Sequence, residues 1–186
     1  MLTPAALLIV AYSAIPSLYD NHLFQRGALM NYDEKRTSEI RYLLTVVKNN
    51  IGDESKKGIA MIAIRKLGRM RAQEGIPLLI ENLSFEPLRD NLVKGIVSTE
   101  ELWPSVYALG EIGVPAFSML LEKAQATDDK VTHYCVAIAI YHAVGEEIGK
   151  LYLNHSISKL PDGIKKRRLE KVSQQFIVVA KDMGVP

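Results

Sequence analysis

Two stretches of this sequence spell almost the same turn, Gly75-Ile76-Pro77-Leu78-Leu79 and Gly113-Val114-Pro115-Ala116-Phe117. Proline is accepted in the first turn of a helix, where its missing N–H would have no partner, so each stretch reads as the opening of a helix. Each follows an apolar helical segment that closes on glycine, Ile64-Arg65-Lys66-Leu67-Gly68 and Val106-Tyr107-Ala108-Leu109-Gly110. The same ending returns at Tyr141-His142-Ala143-Val144-Gly145, in a third hairpin that runs from Asp129 to Leu153 without the proline. Helix pairs recurring at roughly 35 to 45 residues mark a helical solenoid: one hairpin cannot bury its apolar face alone, whereas stacked hairpins share a continuous core. The repetition therefore predicts an all-α solenoid. It also predicts that Gly68, Gly110 and Gly145, just inside the turns, let neighbouring helix backbones approach closely.

Spacing of apolar residues by three and four places the helices. Ser38 to Ile51 carries Ile40, Leu43, Leu44, Val47 and Ile51 and ends at Gly52-Asp53; it reads as a separate helix ahead of the array. Asp20 to Tyr32 has mixed composition and reads as a loop or a short helix. Ser55 to Met70 shows a stripe of Ile59, Ile62, Ala63, Leu67 and Met70. The helices opened by Pro77 and Pro115 present Leu79, Ile80 and Leu83, and Phe117, Leu120 and Leu121. Leu160 to Met183 is a long charged helix with Ile164, Leu169, Val172, Phe176, Ile177 and Val179 available for packing. Between the first two hairpins, residues 84–99 form a connection longer than the roughly 2 to 8 residues usual between packed helices, which suits either a functional loop or a short extra helix.

A first helix closing on Leu-Gly or Val-Gly, followed in two of three cases by Gly-x-Pro, resembles the HEAT repeat, in particular the short repeats of phycobilin-lyase-type proteins. The run from Val106 to Phe117 carries the strongest similarity, and the resemblance covers residues 55–153. It implies a short right-handed α-solenoid of HEAT-like hairpins, with N- and C-terminal capping helices, the latter at 160–183. It also implies that the second helices line the concave side. Helical phase there turns Glu81, Ser118 and Glu122 outward as candidate protein-binding residues. The family shares a scaffold and not a chemistry.

At 186 residues the chain has the length of one domain with a substantial core, and 48% hydrophobic residues exclude a disordered chain. A formal net charge of +2 argues against a broad nucleic-acid surface. The single cysteine, Cys135, sits beside Val136-Ala137-Ile138-Ala139-Ile140 and reads as a buried thiol. The apolar run Ala5 to Val10 falls far short of the roughly 20 residues a membrane span needs, so no transmembrane segment is expected. Residues 1–14 read either as a first helix or as a secretory signal with Ala11-Tyr12-Ser13 at its cleavage site. Loss of residues 1–13 implies an extracytoplasmic protein; retention implies a cytoplasmic one.

The side chains that carry chemistry form no recognisable constellation. His22, His133, His142 and His155 lack the spacing of a helical zinc site, and His133 and Cys135 point to opposite sides of a helix. His142 and Glu146 lie four apart across Gly145 and read as a local hydrogen bond or a solvated pair. Asp128 and Asp129 stand where a helix begins, the end that favours negative charge. Trp103, with Pro104 and Tyr107, reads as an anchor for the hairpin core or a cover for the 84–99 connection. Lys165-Lys166-Arg167-Arg168 reads as the solvated outer face of the last helix, with contact to an acidic partner, an anionic membrane or nucleic acid as the less favoured alternative, and Asn154-His155-Ser156 matches the glycosylation pattern.

No catalytic residue, cofactor or metal is therefore expected. The sequence reads as a non-enzymatic binding or scaffold module whose partner is another protein. One alternative is a small-molecule-binding protein resembling the bilin lyases, which needs a chromophore cavity with ionisable groups inside it. The other is a nucleic-acid-binding helical repeat, which the near-balanced charge disfavours.

Overall fold

The helices start and stop where the sequence supplies caps and turns. The computed structural model describes the backbone of residues 17–87 and 99–183 and the side chains of residues 31–87 and 101–183. In chain order the helices are α1 (Ser17–Asn50), α2 (Lys57–Arg69), α3 (Ile76–Glu81), α4 (Thr99–Leu102), α5 (Pro104–Ile112), α6 (Phe117–Ala126), α7 (Lys130–Ser158) and α8 (Ile164–Met183). Short 3-10 turns at Glu54–Lys56, Gln73–Gly75 and Val114–Ala116 lead into α2, α3 and α6. The Asp53 carboxylate accepts from the Ser55 backbone N–H at 3.0 Å, and Asp129 accepts from those of Val131 and Thr132 at the start of α7. The described residues are helical, with no strand among them. The apolar run 5–10, and residues 88–98 of the long connection with Leu88, Arg89 and Asp90, lie outside them.

The chain divides into two compact units, Met1–Glu39 and Ile40–Pro186. In the first, α1 runs as one unbroken helix from Ser17, where a loop or short helix was expected between residues 20 and 32. That stretch lacks proline, and its lone Gly27 costs a helix only about 1 kcal/mol, which does not end it. Ser38 to Ile51 is thus the end of a longer helix and not a separate one.

In the second unit, Ile40, Leu43 and Val47 from the end of α1 join a core built by α2, α3, α5, α6, α7 and α8. α5 lies among the others: it packs on α2, α3 and α7, while α8 packs on α7 and α6. Leu169, Val172, Phe176 and Val179 of α8 are buried as expected, but Ile164 and Ile177 face solvent. The stripe expected on α2 is out of phase. Ala60, Ala63, Ile64 and Leu67 point inward, whereas Ile59 is 52% exposed and Ile62 is 65% exposed. α2 is apolar on two sides, and only its fit against α5 selects the buried one.

The burial pattern corrects the repeat register. Gly75, Ile76, Leu79, Ile80 and Leu83 are buried with the same spacing as Ala116, Phe117, Leu120, Leu121 and Ala124. Pro77 then corresponds to Ser118, and Glu81 to Glu122. The Gly-x-Pro stretches do not superpose: Gly75 ends a 3-10 turn and Pro77 lies inside α3, whereas Gly113 precedes a 3-10 turn that contains Pro115. Gly145 is corrected likewise. It bends α7 between residues 144 and 146 with φ 75° and ψ −176°, close to the φ 83° and ψ −145° of Gly113, a conformation that favours glycine. No neighbour lies within 4 Å of its Cβ position, so it is a turn glycine and permits no close approach.

Close approach belongs to other glycines. A Cβ on Gly68 would meet the Ala108 Cα at 2.7 Å, and one on Gly110 would meet the His142 Cβ at 2.9 Å. Gly149, absent from the sequence reading, accommodates the Phe176 ring of α8, whose Cε2 would lie 2.7 Å from a Cβ there. Gly68→Ala forces α2 away from the α5 backbone and should lower unfolding free energy by about 1–3 kcal/mol, despite the roughly 1 kcal/mol that alanine gains in helix propensity. Gly58→Ala, in open space on the same helix, should instead raise it by up to about 1 kcal/mol. Urea titrations followed by circular dichroism measure both, and equal shifts of one sign would rule out a tight α2–α5 contact at Gly68.

Candidate functional site

The groups with the most chemical potential are spent on holding helices together. His133, buried at the start of α7, places Nε2 at 3.2 Å from the Ala124 carbonyl and 3.1 Å from that of Thr127. Both partners are acceptors only, so Nε2 carries the proton and donates, satisfying carbonyls that the end of α6 leaves open. Cys135 is buried, and desolvation pushes its thiol up to about 12, which leaves it protonated and unreactive near neutrality. His142 packs edge-on against Tyr107, with ring centroids 5.1 Å apart. Glu146, the expected partner of His142, instead pairs with Lys150, because the bend at Gly145 removes the helical spacing between residues 142 and 146. Among the described residues no three His, Cys, Asp or Glu side chains converge as metal ligands.

The aspartate pair divides its labour. Asp129 caps α7, accepting also from the Thr132 hydroxyl at 2.7 Å, and these hydrogen bonds lower its pKa. Asp128 accepts from Arg168 Nη2 at 2.6 Å and Nε at 3.0 Å and from Lys171 Nζ at 2.8 Å, tying the α6–α7 turn to α8. Arg168 also donates to the Gln125 carbonyl at 2.9 Å. The hydrogen bond from Arg168, then that from Lys171, hold the Asp128 carboxyl well below the usual range. The basic run is therefore not one uniform solvated face. Arg168 is a cross-tie and Lys166 pairs with Asp162, leaving Lys165 and Arg167 as its exposed cations. Trp103 tethers the long connection by donating from Nε1 to Glu86 Oε1 at 3.2 Å, while its ring meets Tyr134 edge-on.

Two exposed patches stand out among the described residues. Glu81 on α3 and Ser118 and Glu122 on α6 are all exposed, and the two helices pack side by side. Ser118 and Glu122 lie one turn apart on one side of α6, and their counterparts on α3 are Pro77 and Glu81, both exposed. The second surface was missed in the sequence. A groove of about 450 Å³ runs along the outer side of α2, lined by Ile62, Arg65, Lys66, Arg69 and Met70. Its signal was present: Lys56, Lys57, Arg65, Lys66, Arg69 and Arg71 fall in one stretch without an acidic residue.

Replacing His133 with leucine should cost about 1–3 kcal/mol in unfolding experiments, because the α6 carbonyls lose their donor. Asp128 has a lowered folded-state pKa, so its stabilising effect is complete above about pH 4, the unfolded carboxyl value. It fades as the pH falls below that toward the folded value. The stability difference between the wild type and Asp128→Asn should therefore be constant from pH 8 to about 5 and shrink in more acidic solution. A difference that grew on acidification would contradict the Asp128–Arg168 tie.

No family model matches the chain, and comparison with curated proteins and with solved structures finds no match, so the functional reading rests on the geometry above.

Proposed function

We propose that this chain is a non-enzymatic protein-binding module, a short right-handed stack of HEAT-like hairpins that presents the outward side of its second helices to a partner protein. The observation that carries this reading is the matched burial of α3 and α6. The same inward spacing leaves Pro77 and Glu81 of one helix, and Ser118 and Glu122 of the next, at corresponding exposed positions. A stack that repeats its inward side also repeats its outward one, which is how solenoids build extended recognition surfaces from simple units. The commitment of His133, Cys135, Asp128 and Asp129 to structural contacts supports a scaffold over a catalyst.

The test is charge reversal at positions where folding is indifferent. In a pull-down with purified full-length chain as bait, Glu81→Lys, Ser118→Lys and Glu122→Lys together should reduce capture of a stoichiometric partner by roughly tenfold or more, as like charges at an interface repel. Circular dichroism should be unchanged. Loss of helical signal would show that these residues do not face outward, and undiminished capture would remove this surface from the binding site.

A further inference from the structure

We infer that the outer side of α8 pairs two copies of this chain, packing antiparallel against itself across a two-fold axis. The inference stands apart from the surface on α3 and α6. α8 packs its inner side on α7 and α6, burying Leu169, Val172, Phe176 and Val179. A helix that closes a helical stack ordinarily turns a polar side to water, which is what stops the stack. α8 departs from that rule: Ile177 is 58% exposed and Val178 is 46% exposed on its outer side. Glu170, Gln174, Ile177 and Lys181 recur at steps of four, three and four residues and are all exposed, so they form one seam along the helix with Val178 beside it. That is the spacing by which two helices lie along one another.

The charges on the seam select a second copy as its cover. Glu170 stands at one end and Lys181 at the other. Among the described residues the ion pairs of α8 are Lys166 with Asp162, and Arg168 and Lys171 with Asp128, so the two seam charges are not spent within the chain. A two-fold axis perpendicular to the helix reverses its direction, which sets the acidic end of each seam against the basic end of the other. With 3.6 residues per turn, Glu170 and Lys181 lie about 20° apart around α8, on the same flank, so both pairs close without crossing the seam. The same pairing, centred between residues 175 and 176, sets Ile177 of each copy against Gln174 of the other, beside its Ile177, and takes Val178 from water. A parallel neighbour in register would instead oppose like charges. Contact confined to one helix with a small apolar centre falls at the small end of interface sizes, so the dimer forms in the micromolar range or above.

Sedimentation equilibrium of the full-length chain from about 5 to 500 µM tests the pairing. The mean mass is expected to rise with concentration from that of one chain toward that of two. Ile177→Glu should weaken association roughly tenfold or more; the position is exposed, so circular dichroism should be unchanged. Glu170→Lys and Lys181→Glu should each weaken it about threefold or more, and the double variant should recover wild-type association. The two positions lie about 16 Å apart along one helix, beyond reach of each other, so recovery comes only from pairing between copies. The Glu81, Ser118 and Glu122 reversals should leave association unchanged. A single-chain mass across the whole range overturns the inference, as does a dimer indifferent to Ile177→Glu, or two weakened single variants with no recovery in the double. A dimer lost with the Glu81, Ser118 and Glu122 reversals assigns self-association to α3 and α6 and overturns it as well.

Discussion

The central helix of the second unit, α5, is pressed from two sides, and the rest of that unit depends on how closely its neighbours can approach. Pro104, Ser105, Val106, Ala108, Leu109, Gly110 and Ile112 are all buried, so a helix of nine residues has scarcely any solvent-facing side. α2 reaches it where Gly68 meets Ala108, and α7 reaches it where His142 meets Gly110. Small residues at the crossings let the helices close until dispersion and burial are won along their whole length, each fully buried leucine or isoleucine contributing about 1.5–3 kcal/mol. A larger side chain at either crossing would hold the helices apart and weaken every contact beyond it.

Polar groups finish what packing begins. The turn from α6 into α7 would leave open carbonyls and a charged aspartate pair beside the core, and each is answered locally. His133 donates to the α6 carbonyls, Asp129 caps α7, and Asp128 is clasped by Arg168 and Lys171 from α8. These contacts set the register between α8 and the preceding helices more sharply than the apolar side of α8 would alone. They also engage the histidine, aspartates and arginine that suggest chemistry when read as a list of residues, His133 buried and the two aspartates still at the surface. Among the described residues, Glu81, Ser118 and Glu122 on α3 and α6 and Ile59, Ile62, Lys66 and Arg69 on α2 stay exposed.

The helix inventory and most of the core were legible in the sequence because the three- and four-residue period of apolar residues is a local property. Residues 55–70 and the helix opened by Pro115 read as helices for that reason, and so did the burial of Cys135 and of Leu169, Val172, Phe176 and Val179 in α8, though Ile164 and Ile177 did not follow. The start of Asp129 as a cap was legible because a cap is a contact between near neighbours in the chain. The outward positions of Glu81, Ser118 and Glu122 followed from helical phase alone. The α2 groove was legible only in part: its cations stand together in the chain, but the exposure of Ile59 and Ile62 beside them does not show there.

What the sequence by itself determined is the all-helical class and the positions of most helices, since these arise from interactions within a few residues. What only the tertiary structure decided is which side of each helix turns inward, which glycines meet a neighbour, and where charges find partners. Ile59 and Ala60 are equally suited to a core, and only the fit of α2 against α5 buries one and exposes the other. Gly145 looks like Gly68 and Gly110 in the chain, yet it serves as a turn because its backbone takes a positive φ. Arg168 looks like its basic neighbours until α8 docks and brings Asp128 to it. These outcomes depend on surfaces brought together across long stretches of chain, where shape and charge are compared directly and local pattern no longer distinguishes the candidates.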